Sequence, residues 1–317
     1  MNMKKVIFLI SAVIVFTGVT PARAQQIPQF SQYMFNGLYV NPAYAGYKEN
    51  MYAHLIYRNQ WVGIKGAPNT TMVSIDGNIY GGSNLGLTYG NDQIGPFTTN
   101  SLMLSYAFRF NLSEGARLSL GLAGGMLHYG LDKTDLNADP LLQNTDNAWR
   151  PTIDAGIYFD LKHFYAGFCV MSLLPNKEDN SIMVMRVDPS YFLTLGGMIP
   201  LNKYLALMPS TLLKTDFKSP ITWDINAMFM IIERFWIGAS YRTGLTFAID
   251  NAQIKGTEQY DALALIAEAF ITDRIRLGVA YDFDLNRLSS SHNGSFEVSL
   301  GYYLTAPKRK YSTPRYF

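Results

Sequence analysis

The segment RIRLGVAYDFD, residues 274–284, sets Ile275, Leu277, Val279, Tyr281 and Phe283 against Arg274, Arg276, Gly278, Ala280, Asp282 and Asp284. Successive side chains of an extended chain point to opposite faces, so this period of two predicts a strand with one apolar face and one charged or small face. Moving outward, SFEVSLGYYL (295–304) repeats the pattern, with Phe296, Val298, Leu300, Tyr302 and Leu304 opposite Ser295, Glu297, Ser299 and Gly301. LMLSYAFRF (102–110), RLSLGLAGGM (117–126), IDAGIYF (153–159) and WDINAMF (223–229) carry it through the chain. About fourteen such segments can be counted, near 51–60, 70–80, 84–91, 97–110, 116–127, 150–160, 163–172, 189–199, 203–214, 221–231, 234–244, 259–271, 274–284 and 294–305. Most have the roughly ten residues with which a tilted strand crosses a bilayer.

A soluble β-sandwich would alternate too. Three features argue for a membrane barrel instead. The connections alternate: tight turns such as Gly81-Gly82-Ser83, Asn111–Gly115, Leu161-Lys162 and Thr272-Asp273 follow the even strands, and longer loops (128–149, 173–188, 245–258) follow most odd ones. Aromatic residues gather at strand ends, at Tyr57, Trp61, Tyr89, Trp149, Phe159, Tyr191, Trp223 and Tyr281, where outer-membrane barrels carry aromatic girdles. Finally, MNMKK, the apolar run VIFLISAVIVFTGV and Ala22-Arg23-Ala24 read as a signal peptide over residues 1–24, with Gln25 as the first mature residue. No cysteine follows that site, so a lipid anchor is not expected, and the sole cysteine, Cys169, reads as an apolar filler.

Composition agrees with that compartment. Charged residues make up 16% and aromatics 14% of the chain, against roughly 25% charged in soluble proteins. Loss of Lys4, Lys5 and Arg23 with the signal peptide turns the small positive charge slightly negative, which leaves no basic field for nucleic acid. The fold expected is all-β: a transmembrane antiparallel outer-membrane β-barrel of about fourteen strands over 51–305. It lies between an N-terminal segment (25–50) and a basic tail (306–317), with both mature termini in the periplasm and the long loops outside.

Fourteen strands enclose space that a side-chain layer alone does not fill. The inward positions carry His54, Arg58, Asp76, Arg109, Asp154, Asp224, Arg242, Arg274, Arg276, Asp282, Asp284 and Glu297. With both signs present, these charges are expected to pair with one another or with an inserted segment rather than line an ion path. The candidate for insertion is PQFSQYMFNGLYVNPAYAG, residues 28–46. In it Phe30, Tyr33, Met34 and Leu38 recur at helical spacing behind Ser31 as a cap, and Asn41-Pro42 marks a turn, predicting a helix of about ten residues. The segment reads either as a periplasmic plug or as a leader packed beneath the barrel.

The same residues carry a resemblance. Pro28, Gln29, Phe30, Ser31, Gln32, Tyr33 and Asn36, then Asn41, Pro42, Ala43 and Gly46, then RNQWVGIKGAPNTTMVSIDG (58–77), resemble the N-terminal motifs of the PorP/SprF family of outer-membrane proteins. The resemblance implies a role in the type IX secretion system and its gliding machinery. Its implied partners are machinery lipoproteins in the periplasm, a secreted surface adhesin or its C-terminal domain, and outer-membrane lipids.

Chemistry-bearing motifs are missing from the sequence. His54, His128, His163 and His292 have no HExxH spacing, Gly81–Leu85 fails as a GxSxG elbow at its last position, and DFDLNR (282–287) has Arg287 where a calcium loop needs glycine. No cofactor and no enzyme activity are expected. The alternative reading at this level is a general porin or small-solute transporter, which the alternation fits equally well. In the tail, Lys308, Arg309, Lys310 and Arg315 with Tyr316 and Phe317 form either a docking peptide for an acidic periplasmic partner or a solvated tail that aids assembly.

Overall fold

The computed structural model describes residues 28–132, 147–174, 188–245, 262–285 and 291–306. Three single turns of 3₁₀-helix come first, at Tyr33–Phe35, Gly37–Tyr39 and Pro42–Tyr44. The strands follow: β1 (Tyr52–Asn59), β2 (Asn69–Tyr80), β3 (Ser83–Ile94), β4 (Phe97–Ser113), β5 (Ala116–Leu131), β6 (Ala148–Asp160), β7 (Phe164–Met171) and β8 (Ser190–Gly197). Then come β9 (Ile199–Pro200), β10 (Leu205–Thr215), β11 (Ile221–Ile231), β12 (Phe235–Leu245), β13 (Ala262–Phe270), β14 (Ile275–Asp284) and β15 (Ser295–Tyr303). The two-residue β9 continues β8 past Met198, pairing with β10 at Ala206↔Pro200. Neighbours pair antiparallel, and β15 returns to β1 in register from Tyr52↔Tyr303 to Arg58↔Glu297. The wall is a closed barrel of fourteen strands, and closure leaves no unpaired edge. Every segment counted from the alternation forms a strand.

Strand β14 shows what surrounds the wall. In it Leu277, Val279 and Phe283 are 43%, 53% and 44% exposed, whereas Arg276 and Asp282 are 0% and 1% exposed. Charges inside and hydrocarbon outside is the inverse of a sheet built for water, and it suits a wall bathed in lipid. Among the described residues no helix is long and apolar enough to cross a membrane.

The two mouths differ. The connections after β2, β4, β6, β9, β11 and β13 have two to four residues. At the opposite end lie the longer ones, including 60–68 after β1 and 285–294 after β14, with the tight Gly95-Pro96 turn as the exception. Tyr57, Tyr89, Trp149, Tyr191, Trp223 and Tyr281 sit toward the long-loop end, with Tyr80, Phe159 and Tyr204 at the short-turn end. Aromatic residues at both mouths are the girdles expected where a membrane barrel meets its two interfaces.

The predicted ten-residue helix does not form. Asn36 and Asn41 turn their side-chain oxygens back onto the N–H groups of Leu38 and Ala43, which closes short turns and stops α-helical propagation. Gly37 and Pro42 add the weakest helix propensities at the same places. Ser31 is not a helix cap either, because its hydroxyl and N–H are committed to the barrel wall.

Candidate functional site

Residues 28–50 lie inside the barrel and descend through it, the chain entering β1 at the short-turn end. Such irregular backbone is tolerated at membrane depth only when its polar groups find partners in protein, and the wall supplies them in three tiers.

The upper tier lies near the long-loop ends of β1, β11, β14 and β15. Ser31 N–H and Gln32 N–H donate to the two oxygens of the Glu297 carboxylate at 2.6 and 3.0 Å. The Ser31 hydroxyl donates to Asp282 at 2.8 Å, and Gln29 Nε2 donates to Asp224 at 2.9 Å. Arg58 pairs with Asp282 at 2.6 Å and with Glu297, and Arg242 pairs with Asp224 at 2.8 Å. The Arg58–Glu297 pair spans the β1–β15 seam, the junction between the first and last strands. All of these wall groups are buried or nearly so, and removing one member of a buried pair typically costs about 3–5 kcal/mol.

The middle tier is held by amides and phenols. Asn226 Nδ2 donates to the Tyr33 hydroxyl at 2.6 Å, Asn36 Nδ2 donates to Ser74 at 2.6 Å, and the Tyr39 hydroxyl meets His54 Nδ1 at 3.1 Å. Asn41 Nδ2 reaches the carbonyls of Ile157 and Phe168 at 3.1 and 3.3 Å. Directly below, Pro42 and Ala43 press on Gly121 of β5, where any Cβ would overlap their backbone.

The lower tier closes the short-turn end. Gly46, at φ 67° in the left-handed region that favours glycine, donates its N–H to Asp76 at 2.7 Å. Lys48 Nζ donates to the Phe35 carbonyl at 2.6 Å and lies 4.1 Å over the Tyr52 ring. Arg117 bridges Glu49 and Asp160, both at 2.9 Å. Arg276 pairs with Glu268 at 2.8 Å, and its guanidinium lies 4.6 Å from the Trp236 ring centre and 5.2 Å from that of Phe270. Cations over aromatic faces in a desolvated setting gain about 2 kcal/mol. Tyr44, Tyr47, Tyr158 and Tyr165 complete this aromatic floor.

Above the segment, on the long-loop side, a cavity of about 180 Å³ remains. Its floor includes Phe30, Leu38 and Pro42, and Met72, Met103 and Phe192 are in its wall. Among the described residues no group of three or more His, Cys, Asp or Glu side chains could hold a metal ion. The arrangement offers carboxylates and carbonyls as acceptors for a peptide, and its chemistry is that of holding a chain.

Residues 22–302 match the family described as "Type IX secretion system membrane protein PorP/SprF". The chain belongs to the PorP/SprF family. No curated protein sequence matches this PorP/SprF member. Among solved structures it is similar to the CymD monoaromatic hydrocarbon channel, with TM-score 0.53 and 11% identity over 91% of this chain and 96% of that one. It is also similar to a Pseudomonas aeruginosa FadL homologue (TM-score 0.50, 11% identity, 90% and 96% covered) and to Omp33 of Acinetobacter baumannii (TM-score 0.50, 7% identity, 81% and 98% covered). At these identities the likeness is one of fold: outer-membrane barrels.

The motif residues of this PorP/SprF member thus converge on the lumen: Gln29, Ser31, Gln32, Tyr33, Asn36, Asn41 and Gly46 each bond to the wall, and Phe30, Pro42 and Ala43 pack within it. Pro28 is exposed and lines the cavity. Of the expected lumen charges, Arg58, Asp76, Arg109, Asp154, Asp224, Arg242, Arg276, Asp282, Asp284 and Glu297 face inward, Asp154 accepting the Ser172 N–H and Asp284 meeting His292 at 3.2 Å. Arg274 does not. It is exposed in the turn before β14, where Thr272 Oγ1 accepts the N–H groups of Arg274 and Ile275 and starts the strand one residue later. Lys308, Arg309, Lys310, Arg315, Tyr316 and Phe317 lie outside the described residues, as do residues 1–27.

Sequence reasoning missed Lys48, Arg117, Asp160 and Glu268. Lys48 precedes β1, where there is no alternation, whereas Arg117 and Asp160 lie at strand ends, where parity is present but a turn or an inward face reads alike. Glu268 carried a signal: it is the one charge in ALALIAEAF, on the face of Ala262, Ala264, Ile266 and Phe270. Gly121, the recess for Ala43, was read only as a strand residue.

Proposed function

We propose that this PorP/SprF member is a plugged outer-membrane barrel that supports secretion or surface anchoring of large adhesins by the type IX system through protein–protein contacts. The observation that carries this reading is the bolted lumen: residues 29–46 share hydrogen bonds with β1, β2, β4, β6, β7, β11, β14 and β15, and Glu49 pairs with Arg117 of β5, an arrangement suited to a scaffold rather than to a path for solutes. The long loops face outward and offer the surface for a secreted protein or its C-terminal domain, because the lipid-facing wall has only apolar area. The C-terminal tail leaves from the short-turn end, beside Tyr303, into the periplasm, where Lys308, Arg309, Lys310 and Arg315 steer an acidic lipoprotein and Tyr316 and Phe317 anchor it. No catalytic step is part of this role.

The test is an affinity pull-down from detergent-solubilised outer membrane, with partners identified by mass spectrometry. Machinery lipoproteins and a surface protein are expected with the full chain, and the periplasmic partners are lost from a chain ending at Ala306. Recovery of neither class from a folded, full-length barrel would refute the role. The porin alternative is separated by conductance: a steady ion current through the intact protein in a planar bilayer favours the porin, and little current favours the plugged scaffold.

A further inference from the structure

The expected position of the mature N-terminus, at the short-turn end with the C-terminus, is at odds with the path of the lumen segment. Gly46 and Lys48 stand at the short-turn end, beside Asn84 and Tyr52. Reading backwards along the chain, the partners climb: Asn36 meets Ser74, Ser31 meets Asp282 and Glu297, and Gln29 meets Asp224. Asp282 lies seven residues along β14 from its short-turn end at Ile275. At about 3.3 Å per residue and a tilt near 40° that is about 18 Å of depth. Pro28, the first described residue, is exposed and lines the cavity on the long-loop side.

Cleavage after Ala24 leaves Gln25, Gln26 and Ile27 ahead of Pro28. Three residues reach at most about 10 Å. That is too short to return to the short-turn end, and the way back is filled by residues 30–47. We propose that the chain enters the lumen from the long-loop side, so that the mature N-terminus lies on that side of the plug, opposite the C-terminus. The compartment so named rests on the outward orientation of the long loops, but the side relative to those loops does not.

The test places a short epitope between Gln25 and Gln26, with reference epitopes inserted at Gly95 (long-loop end) and at Gly82 (short-turn end), each in a barrel verified by heat-modifiable mobility. Antibody binding to intact cells by the N-terminal epitope together with the Gly95 epitope supports the inference. Binding together with the Gly82 epitope overturns it. If the N-terminal and Gly95 epitopes both need permeabilisation, the inference stands and the outward orientation falls instead. If the N-terminal epitope stays hidden from both sides, a short bis-maleimide decides, in a Cys169→Ala background. An intramolecular cross-link of Ile27→Cys to Met103→Cys supports the long-loop side, whereas its absence, or a cross-link of Ile27→Cys to Gly82→Cys, refutes it.

Discussion

Glu297→Gln is the sharpest perturbation of the lumen segment. The wild-type carboxylate gives one oxygen to Ser31 N–H, one to Gln32 N–H, and a charge to Arg58. The amide keeps the shape, but it turns an NH₂ toward one of those two N–H groups and removes the charge. Losing one partner of a buried pair costs about 3–5 kcal/mol, and a buried N–H left without an acceptor adds about 1–3 kcal/mol. Arg58 keeps Asp282 at 2.6 Å, so the low end, about 3 kcal/mol, is the expectation. If most of that falls on the bound segment, the population with a released upper tier rises by roughly two orders of magnitude. Single-channel recording in planar bilayers should then show frequent openings where the wild type shows few, and urea unfolding in lipid should shift to lower concentration. A folded Glu297→Gln barrel with wild-type conductance and an unchanged midpoint would refute the view that this carboxylate holds the segment.

Further tests address the other tiers. Gly121→Val should drive Pro42 and Ala43 from the wall and lower stability by about 1–3 kcal/mol, read as faster proteolysis of residues 28–50; equal protection would show that the recess does not matter. Arg276→Ala should destabilise more than the Arg276→Ala/Glu268→Ala double variant in a denaturation cycle, because the single change strands a buried carboxylate; additive effects would count against the pair. Deleting residues 25–46 should raise conductance and admit antibiotics that the wild type excludes, and a folded deletion with unchanged current would remove the plug. With an impermeant maleimide on intact cells, Gly95→Cys should label and Gly82→Cys should not; the opposite result inverts the barrel in the membrane.

What the sequence disclosed follows from how each constraint is written in it. Lipid on one side and a packed lumen on the other force period two along every crossing, so the outward side of Leu277, Val279 and Phe283 is legible in the residue order alone. Turn chemistry broke that parity at Arg274, because Thr272 takes the first N–H groups and delays the strand by one residue. For the segment before β1 the residue order leaves insertion and packing beneath the barrel both open, and it does not give the shape. The 3.6-residue spacing of Phe30, Tyr33, Met34 and Leu38 imitates a helix, whereas the conformation is set by Asn36 and Asn41 closing local turns and by carboxylates from strands more than two hundred residues away. Its direction through the lumen was not legible at all, since depth depends on which wall residue each amide meets.

The seam tier has a bearing on biogenesis. Ser31 and Gln32 touch Glu297 on the last strand while Arg58, on the first, touches Glu297, Asp282 and the Ser31 hydroxyl. The same short peptide is therefore the meeting point for the two edges that must find each other when the sheet rolls up. Closing the seam and seating the segment thus draw on the same carboxylates, so the peptide ties the first strand to the last like a rivet through a lap joint.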